Sequence, residues 1–347
     1  MTTAAFEAAD APPRISLTER ALLARVLAVV TGKGGILKTA TITALADALA
    51  RMGFVILVVD VDSHAIASRR DLGLHETEHD DKGKSLADAL MVTFMTGTPT
   101  APTVVKGVRS YPNGGRVDVI VGGTALEAAI DGMSAVSVLQ KRPYTHVLGQ
   151  VIATVSGDYH MTLVDNDPKI KTVRLMVLEA AAFSYAPMDY DIAAYEDGLN
   201  ILIKEIGEAR ERNPEHVFLG AVAGRIPDPT IRAWRRTDGN GNARPGGAMV
   251  DIAKKIQVIL DNEVFDSERA LLPGYPKLFN AMIHYSALNV AKAREKGVTI
   301  GEYLRSTSLG TTDEELLEEH AILRDYDEFA RETLAGMNAA IAARNTA

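Results

Sequence analysis

Six short runs of this chain are apolar at nearly every position: residues 26–31 (VLAVVT), 54–59 (FVILVV), 117–121 (VDVIV), 161–165 (MTLVD), 180–186 and 217–223 (VFLGAVA). A strand with one wet face alternates apolar and polar residues, whereas a strand without that alternation must be covered on both faces. Amphipathic stretches with helical period separate them, at 38–52, 85–95, 124–140, 189–211, 246–262 and 287–296, and a last strand is expected near 278–284. Strand and helix in turn predict an α/β fold, a doubly wound, mostly parallel twisted sheet with helices on both faces. At 347 residues and 47% hydrophobic the chain has the core for such a sheet, and it contains no cysteine. Disulfides, thiolate metal sites, iron–sulfur clusters and thiol nucleophiles are thereby excluded.

The segment 26–40, VLAVVTGKGGILKTA, carries the most chemistry. A buried strand runs into Gly32-Lys33-Gly34-Gly35, and Lys38-Thr39 then opens a helix. Glycines let the backbone turn with its N–H groups inward, and a helix N-terminus adds positive potential, so this is the build of a phosphate cradle. Candidate cradle residues are Gly32, Gly34, Gly35, Ile36, Leu37, Lys38, Thr39 and Ala40, with Lys38 against the β/γ-phosphates and Thr39 as a Mg²⁺ ligand. Leu37 stands where the strict G-x-x-x-x-G-K-[ST] pattern has its last glycine. Two further strands end in carboxylates, Val59-Asp60-Val61-Asp62 and Leu163-Val164-Asp165-Asn166-Asp167-Pro168. Ligands of doubly wound sheets sit beyond the carboxyl ends of the strands, so the three segments are expected to meet in one crevice.

These residues resemble the ParA/MinD group of deviant Walker-box P-loop ATPases, ParA-type partition proteins most closely. Lys33 through Thr39 matches K-G-G-x-x-K-[ST], with Lys33 as the group's extra signature lysine; Asp60 and Asp62 match its second motif, and Asp165 with Pro168 its Walker B aspartate and proline. Ala186-Pro187 fits the proline after the fifth strand, and Asn289 to Ile300 echoes the C-terminal region loosely. The resemblance implies an ATPase using ATP and Mg²⁺, active as a homodimer that sandwiches two nucleotides. It implies that Lys33 reaches the partner's phosphates, that Asp62 positions or activates water, and that Asp60 and Asp165 organise the metal. It also implies a ParB-like centromere-binding partner and DNA partition, of a plasmid or phage. Positioning of a protein cargo, or a DNA-binding scaffold with little hydrolysis, are the alternatives. The chain departs from the group at Ser63-His64, where Pro-Gln is usual, and at Ala223-Gly224-Arg225-Ile226-Pro227, where the base-reading segment usually carries Asn.

Charge bears on DNA and membrane. The chain carries a net −8, yet residues 225–255 hold seven basic against three acidic side chains. Arg232, Arg235 and Arg236 flank Trp234 there, and Lys292, Arg294 and Lys296 form a second basic run. Both are candidate contacts to nonspecific DNA, whose recognition needs cations for the phosphate backbone. Residues 237–247 (TDGNGNARPGG) read as a loop, and residues 311–347 as an acidic helical tail opening on a capping box at Thr312 and Glu315. That tail lacks the basic amphipathic face of a membrane helix. No apolar run approaches the ~20 residues of a membrane span, and residues 1–16 lack the basic start and apolar run of a signal peptide. Residues 1–25 are then a short extension, too short for a helix-turn-helix domain, and 26–310 the ATPase domain of a cytoplasmic, nucleoid-associated protein without a membrane partner.

Overall fold

The computed structural model describes residues 23–32, 37–74, 84–167, 169–189, 192–235, 246, 248–284, 286–308, 312 and 320–346. Among them an eight-stranded sheet runs β3-β4-β2-β5-β1-β6-β7-β8. Its strands are β1 (Val26–Val29), β2 (Val55–Val61), β3 (Val105–Ser110), β4 (Arg116–Ile120), β5 (Met161–Asn166), β6 (Phe183–Asp189), β7 (Val217–Ile226) and β8 (Lys277–His284). Every pairing is parallel except β3 with β4. The expected α/β class and mostly parallel sheet are found.

Period-two alternation divides each strand between two cores. Val26 and Ala28 of β1 face one core, with the helices Leu86–Thr96, Ala125–Gln140, Val147–Ser156, Lys171–Ala180, Ile192–Arg210 and Ala248–Leu260. Leu27 and Val29 face the other, with the helices Lys38–Arg51, Ile300–Thr307 and Ala321–Thr346. Local chemistry sets the element ends. The helix Leu86–Thr96 begins on a reciprocal capping box, in which Ser85 and Asp88 each accept the other's backbone N–H, and stops at Gly97 in the left-handed conformation.

Several elements differ from the sequence reading. Strand β3 is not expected from hydropathy, because VKGVRS is short and half exposed at the sheet edge. Charge on an edge strand discourages pairing with another chain, and it also erases the apolar signal. The run expected as a strand from 180 splits: Ala180 ends a helix, and β6 starts at Phe183. The helices Val147–Ser156 and Lys171–Ala180, each only ten residues long, are not expected from the sequence. The loop at 237–245 and Glu315 lie outside the described residues.

The acidic C-terminal helix Ala321–Thr346 closes the other edge of the sheet. Glu332 accepts hydrogen bonds from the backbone N–H of Asn280 (2.9 Å) and Ala281 (3.2 Å), from the Asn280 amide (3.1 Å) and from the Lys277 ammonium. Asp325 accepts from the backbone N–H of His284 at 2.8 Å. Backbone donors of β8 that lack a further strand thus find carboxylates. Glu332→Ala should therefore cost about 0.5–1.5 kcal/mol, the usual net worth of a protein hydrogen bond whose donors water can reach. Urea unfolding would show it as a lowered midpoint at constant slope; an unchanged midpoint would mean that water serves these donors equally well.

Candidate nucleotide-binding site

Parallel pairing of β2 with β5 puts Asp60 directly beside Asp165, and β5 adjoins β1, whose continuation leads into the cradle. Lys33, Gly34, Gly35 and Ile36 lie outside the described residues, as does Pro168. Gly32 and Leu37 bracket them. A Cβ on Gly32 would stand 2.1 Å from the carbonyl oxygen of Gly198, so only glycine lets the helix Ile192–Arg210 pass this close to the strand end. Leu37 takes the left-handed conformation (φ 69°) that the usual glycine adopts freely. For a leucine this costs about 1–2 kcal/mol. Its side chain lies against Gly224 of β7, where a Cβ would come within 2.6 Å of it. Its carbonyl accepts the first helical hydrogen bond, from Thr41 N–H at 2.7 Å.

Lys38 begins the helix Lys38–Arg51 and is buried. Burial lowers its pKa, while Asp165, Asp62 and Asp167 pull the other way. The Thr39 hydroxyl donates to Asp165 Oδ2 at 2.7 Å. The other oxygen, Asp165 Oδ1, is buried with no hydrogen-bond partner among the described residues. Asp60 differs. It accepts from the Asp62 N–H (3.2 Å), the Ser68 N–H (2.8 Å) and the Ser68 hydroxyl (2.7 Å), so protein donors occupy both its oxygens. These bonds hold the π-helical turn Ile66–Asp71 that follows Asp62. Asp62 is buried and accepts from the His64 N–H at 2.8 Å.

A metal fits at Asp165. A buried carboxylate oxygen without a donor, next to a threonine hydroxyl, suits a Mg²⁺ that keeps most of its ligands as water and phosphate oxygens. Among the described residues no group of three or more His, Cys, Asp or Glu stands ready as a protein-only cage. Thr39 and Asp165 would hold the ion, with Asp60 shaping the loop beside it.

A cavity of about 520 Å³ opens here, within the range of small-molecule sites. Leu37, Lys38, Thr39, Ala40, Asp62 and Asp167 line it, as do the cations Arg70, Lys169, Arg225 and Arg294. Five cations against two carboxylates make a site for a polyanion. Sequence reading did not place Arg70 or Lys169 in the site, because each sits in a connection with no motif of its own. Arg225 carries one signal: a non-glycine residue in the left-handed region (φ 58°), the kind of strained backbone that gathers at binding sites.

A family model described as an AAA domain, AAA_31, matches residues 24–217. The chain belongs to this AAA_31 family. The chromosome partitioning protein ParA of Caulobacter vibrioides (strain NA1000 / CB15N) is 28% identical over 199 residues, 57% of this chain and 68% of that protein. The solved structure of pNOB8 ParA matches with a TM-score of 0.62 at 16% identity, over 90% of this chain and 98% of that one. pNOB8 ParA bound to nonspecific DNA gives 0.59 at 18% identity, with the same coverages. The fold of this AAA_31 chain is thus that of the ParA/MinD-type P-loop ATPases.

The candidate DNA residues fall in different surroundings. Arg232 and Lys292 are exposed, and Arg236 lies outside the described residues. Arg235 meets Glu328 at 2.8 Å and Asp325 at 3.5 Å, both on the C-terminal helix. Arg294 pairs with Asp71 (2.9 Å) and lines the cavity, and the exposed Lys296 holds its ammonium 5.1 Å from the Tyr303 ring centre. Among the described residues no helix is long and apolar enough to cross a membrane.

Burial raises the pKa of both Asp60 and Asp165; Asp165 and Asp62 push that of Asp60 further up, while at Asp165 Lys38 and the Thr39 hydroxyl oppose the rise and Asp62 adds to it. Both values lie above the ordinary carboxylate value of 3.8, so the fold binds protons that the unfolded chain has already released. Stability of the nucleotide-free protein should then fall as pH rises from about 4 through these raised values. Asp60→Asn should make that decline shallower. Urea midpoints taken across the series would check it, and a slope identical in the variant would remove this pair as its source.

Proposed function

We propose that this chain is a ParA-type partition ATPase, which binds ATP with Mg²⁺, dimerises around it and holds nonspecific DNA in that state. The observation that carries the reading is the meeting of Lys38, Thr39, Asp62 and Asp165 at the carboxyl ends of β2 and β5, over a cation-rich cavity. Phosphoryl transfer needs little covalent help from a protein; it needs positioned charge. Lys38 and the helix N-terminus would neutralise the β/γ-phosphates. Thr39 and Asp165 would hold the magnesium, which supplies further charge neutralisation when bound. Asp62, buried beside them, would hold the attacking water. Lys33 is the proposed trans-acting cation, the counterpart of an arginine finger in the partner's site.

Transport of DNA, with a ParB-like centromere-binding partner and a plasmid or phage as cargo, extends the same reading. The Caulobacter relative is a chromosome partitioning protein, and one pNOB8 ParA structure holds nonspecific DNA. Arg232, Lys292 and Lys296 are exposed enough to reach a phosphate backbone, Arg235 and Arg294 would first have to leave their carboxylate partners, and Arg236 is a further candidate.

Two measurements test the enzyme. Lys38→Ala should abolish ATP binding in isothermal titration with Mg²⁺; retained affinity would remove the phosphate assignment. Asp62→Ala should keep ATP but hydrolyse it about 10²–10⁴-fold more slowly, the usual contribution of a group that handles the attacking water. Wild-type turnover in that variant would move the role elsewhere, to Asp165 first.

DNA binding is read from salt. Arg232→Ala together with Lys292→Ala should weaken unrelated duplexes equally, and each lost phosphate contact should flatten log affinity against log salt by about 0.9. Fluorescence anisotropy with ATP or ADP is the assay. Affinity and slope unchanged from wild type would turn the reading towards a protein cargo.

A further inference from the structure

Much of the cavity's lining comes from beyond residue 217, where the AAA_31 match ends. That part differs in character from the phosphate side. Ile283, Val290, Ile322 and Tyr326 contribute apolar surface, and the last two belong to the C-terminal helix. The Tyr326 side chain is hydrogen-bonded to Thr41, less than a turn from Lys38, which ties the C-terminal helix to the helix that carries the cradle. Between Ile322 and Tyr326 in the chain sits Asp325, fully buried. Asp325 Oδ2 accepts from both the backbone N–H (2.8 Å) and the ring Nδ1 (2.6 Å) of His284, and the ring of His284 lines the same cavity. A carboxylate can only accept, so Nδ1 carries the proton and the imidazole is fixed in orientation and tautomer.

We infer that the C-terminal helix forms the base-recognising wall of the nucleotide site, with Ile322 and Tyr326 against a purine ring and Asp325 positioning His284 at its polar edge. The inference rests on the nucleotide reading of the cavity. A triphosphate bound through Lys38 and Thr39 is indifferent to what it carries. A purine has apolar faces and a polar edge, and a site that tells one purine from another needs an apolar wall plus a few oriented polar groups. The cavity holds both, and both depend on the one helix. The acidic C-terminal segment thereby acquires a role in selectivity as well as in closing the sheet. Asp325 is a positioning residue, acting through His284.

The test compares ATP, GTP and inorganic tripolyphosphate, each with Mg²⁺, by isothermal titration on the full chain. Tripolyphosphate fits the phosphate side and carries no base. Ile322→Ala should weaken ATP by about tenfold or more, the effect of removing apolar contact from a ligand, and leave tripolyphosphate within about twofold of wild type. Asp325→Asn should do the same and narrow the ratio of ATP to GTP affinity. Ile322→Val, which keeps the packing of the helix, should move ATP alone in the same direction by less, and keeps the test decisive where a harsher variant unfolds. Loss of ATP and tripolyphosphate in parallel, or of neither, would overturn the inference while the nucleotide site stands. A wild-type protein that binds none of the three would overturn both readings together.

Discussion

The register of β2 against β5 fixes the chemistry of this site. It places Asp60 and Asp165 side by side on neighbouring strands, which run about 4.8 Å apart in any sheet, with both residues fully buried. Like charges so close and so dry are costly, and burial pushes both pKa values up. What surrounds each residue separates them. Asp60 is met by three protein donors and becomes part of the loop it holds. Asp165 is met on one side by Thr39, faces Lys38, and has one oxygen without a hydrogen-bond partner among the described residues. Two aspartates alike in the sequence are therefore unlike in the fold, one a strut and the other with an oxygen turned to no described donor.

The far edge of the sheet shows a second use of carboxylates. Order along the sheet leaves β8 with a neighbour, β7, on one side only, and an open parallel edge is a row of unmet donors and acceptors. Glu332 and Asp325 meet several of those donors from a helix, so the acidity of the C-terminal segment is spent partly inside the protein. Asp327 does likewise, against Arg51 of the helix that begins at Lys38. The same segment therefore closes the sheet and touches the elements that build the nucleotide site. A net charge counted along the chain does not distinguish such carboxylates from solvated ones.

Legibility followed physical strength of signal. The buried strands were readable because two-sided burial demands continuous apolar runs; of the expected cradle, the described residues show Gly32 and Leu37 leading into the helix that Lys38 opens. The carboxylates at 60, 62 and 165 were readable from their places at strand ends. Strand β3 was not, since its charge pattern is that of a protected edge. The helix Lys171–Ala180 hid because its ten residues give too short a run to establish a period. Leu37 reads as a departure from the glycine pattern, and only the backbone shows that it keeps the glycine's conformation. The proposed wall of Ile322 and Tyr326, with His284 held by Asp325, could not be read at all. It joins segments some 280 residues apart, and nothing in its composition announces a ligand.

The basic runs show where reading charge from sequence stops. A cation in a string of letters has no partner, yet in the fold it always has one, whether water, carboxylate, ring or ligand. Arg294 has Asp71, and through it lies between the turn after Asp62 and the cavity. Arg235 has two carboxylates of the C-terminal helix. Arg70 and Lys169, unremarked in sequence, line the cavity instead. An exposed ion pair is worth at most about 1 kcal/mol, so pairs such as Arg235 with Glu328 can exchange a carboxylate for a phosphate at small cost. A more buried pair such as Arg294 with Asp71 does not exchange so cheaply, because releasing the arginine leaves a buried carboxylate uncompensated. On the proposed reading, contact with DNA through the second basic run would fall to the exposed Lys292 and Lys296, while Arg294 is held by Asp71 at the cavity wall.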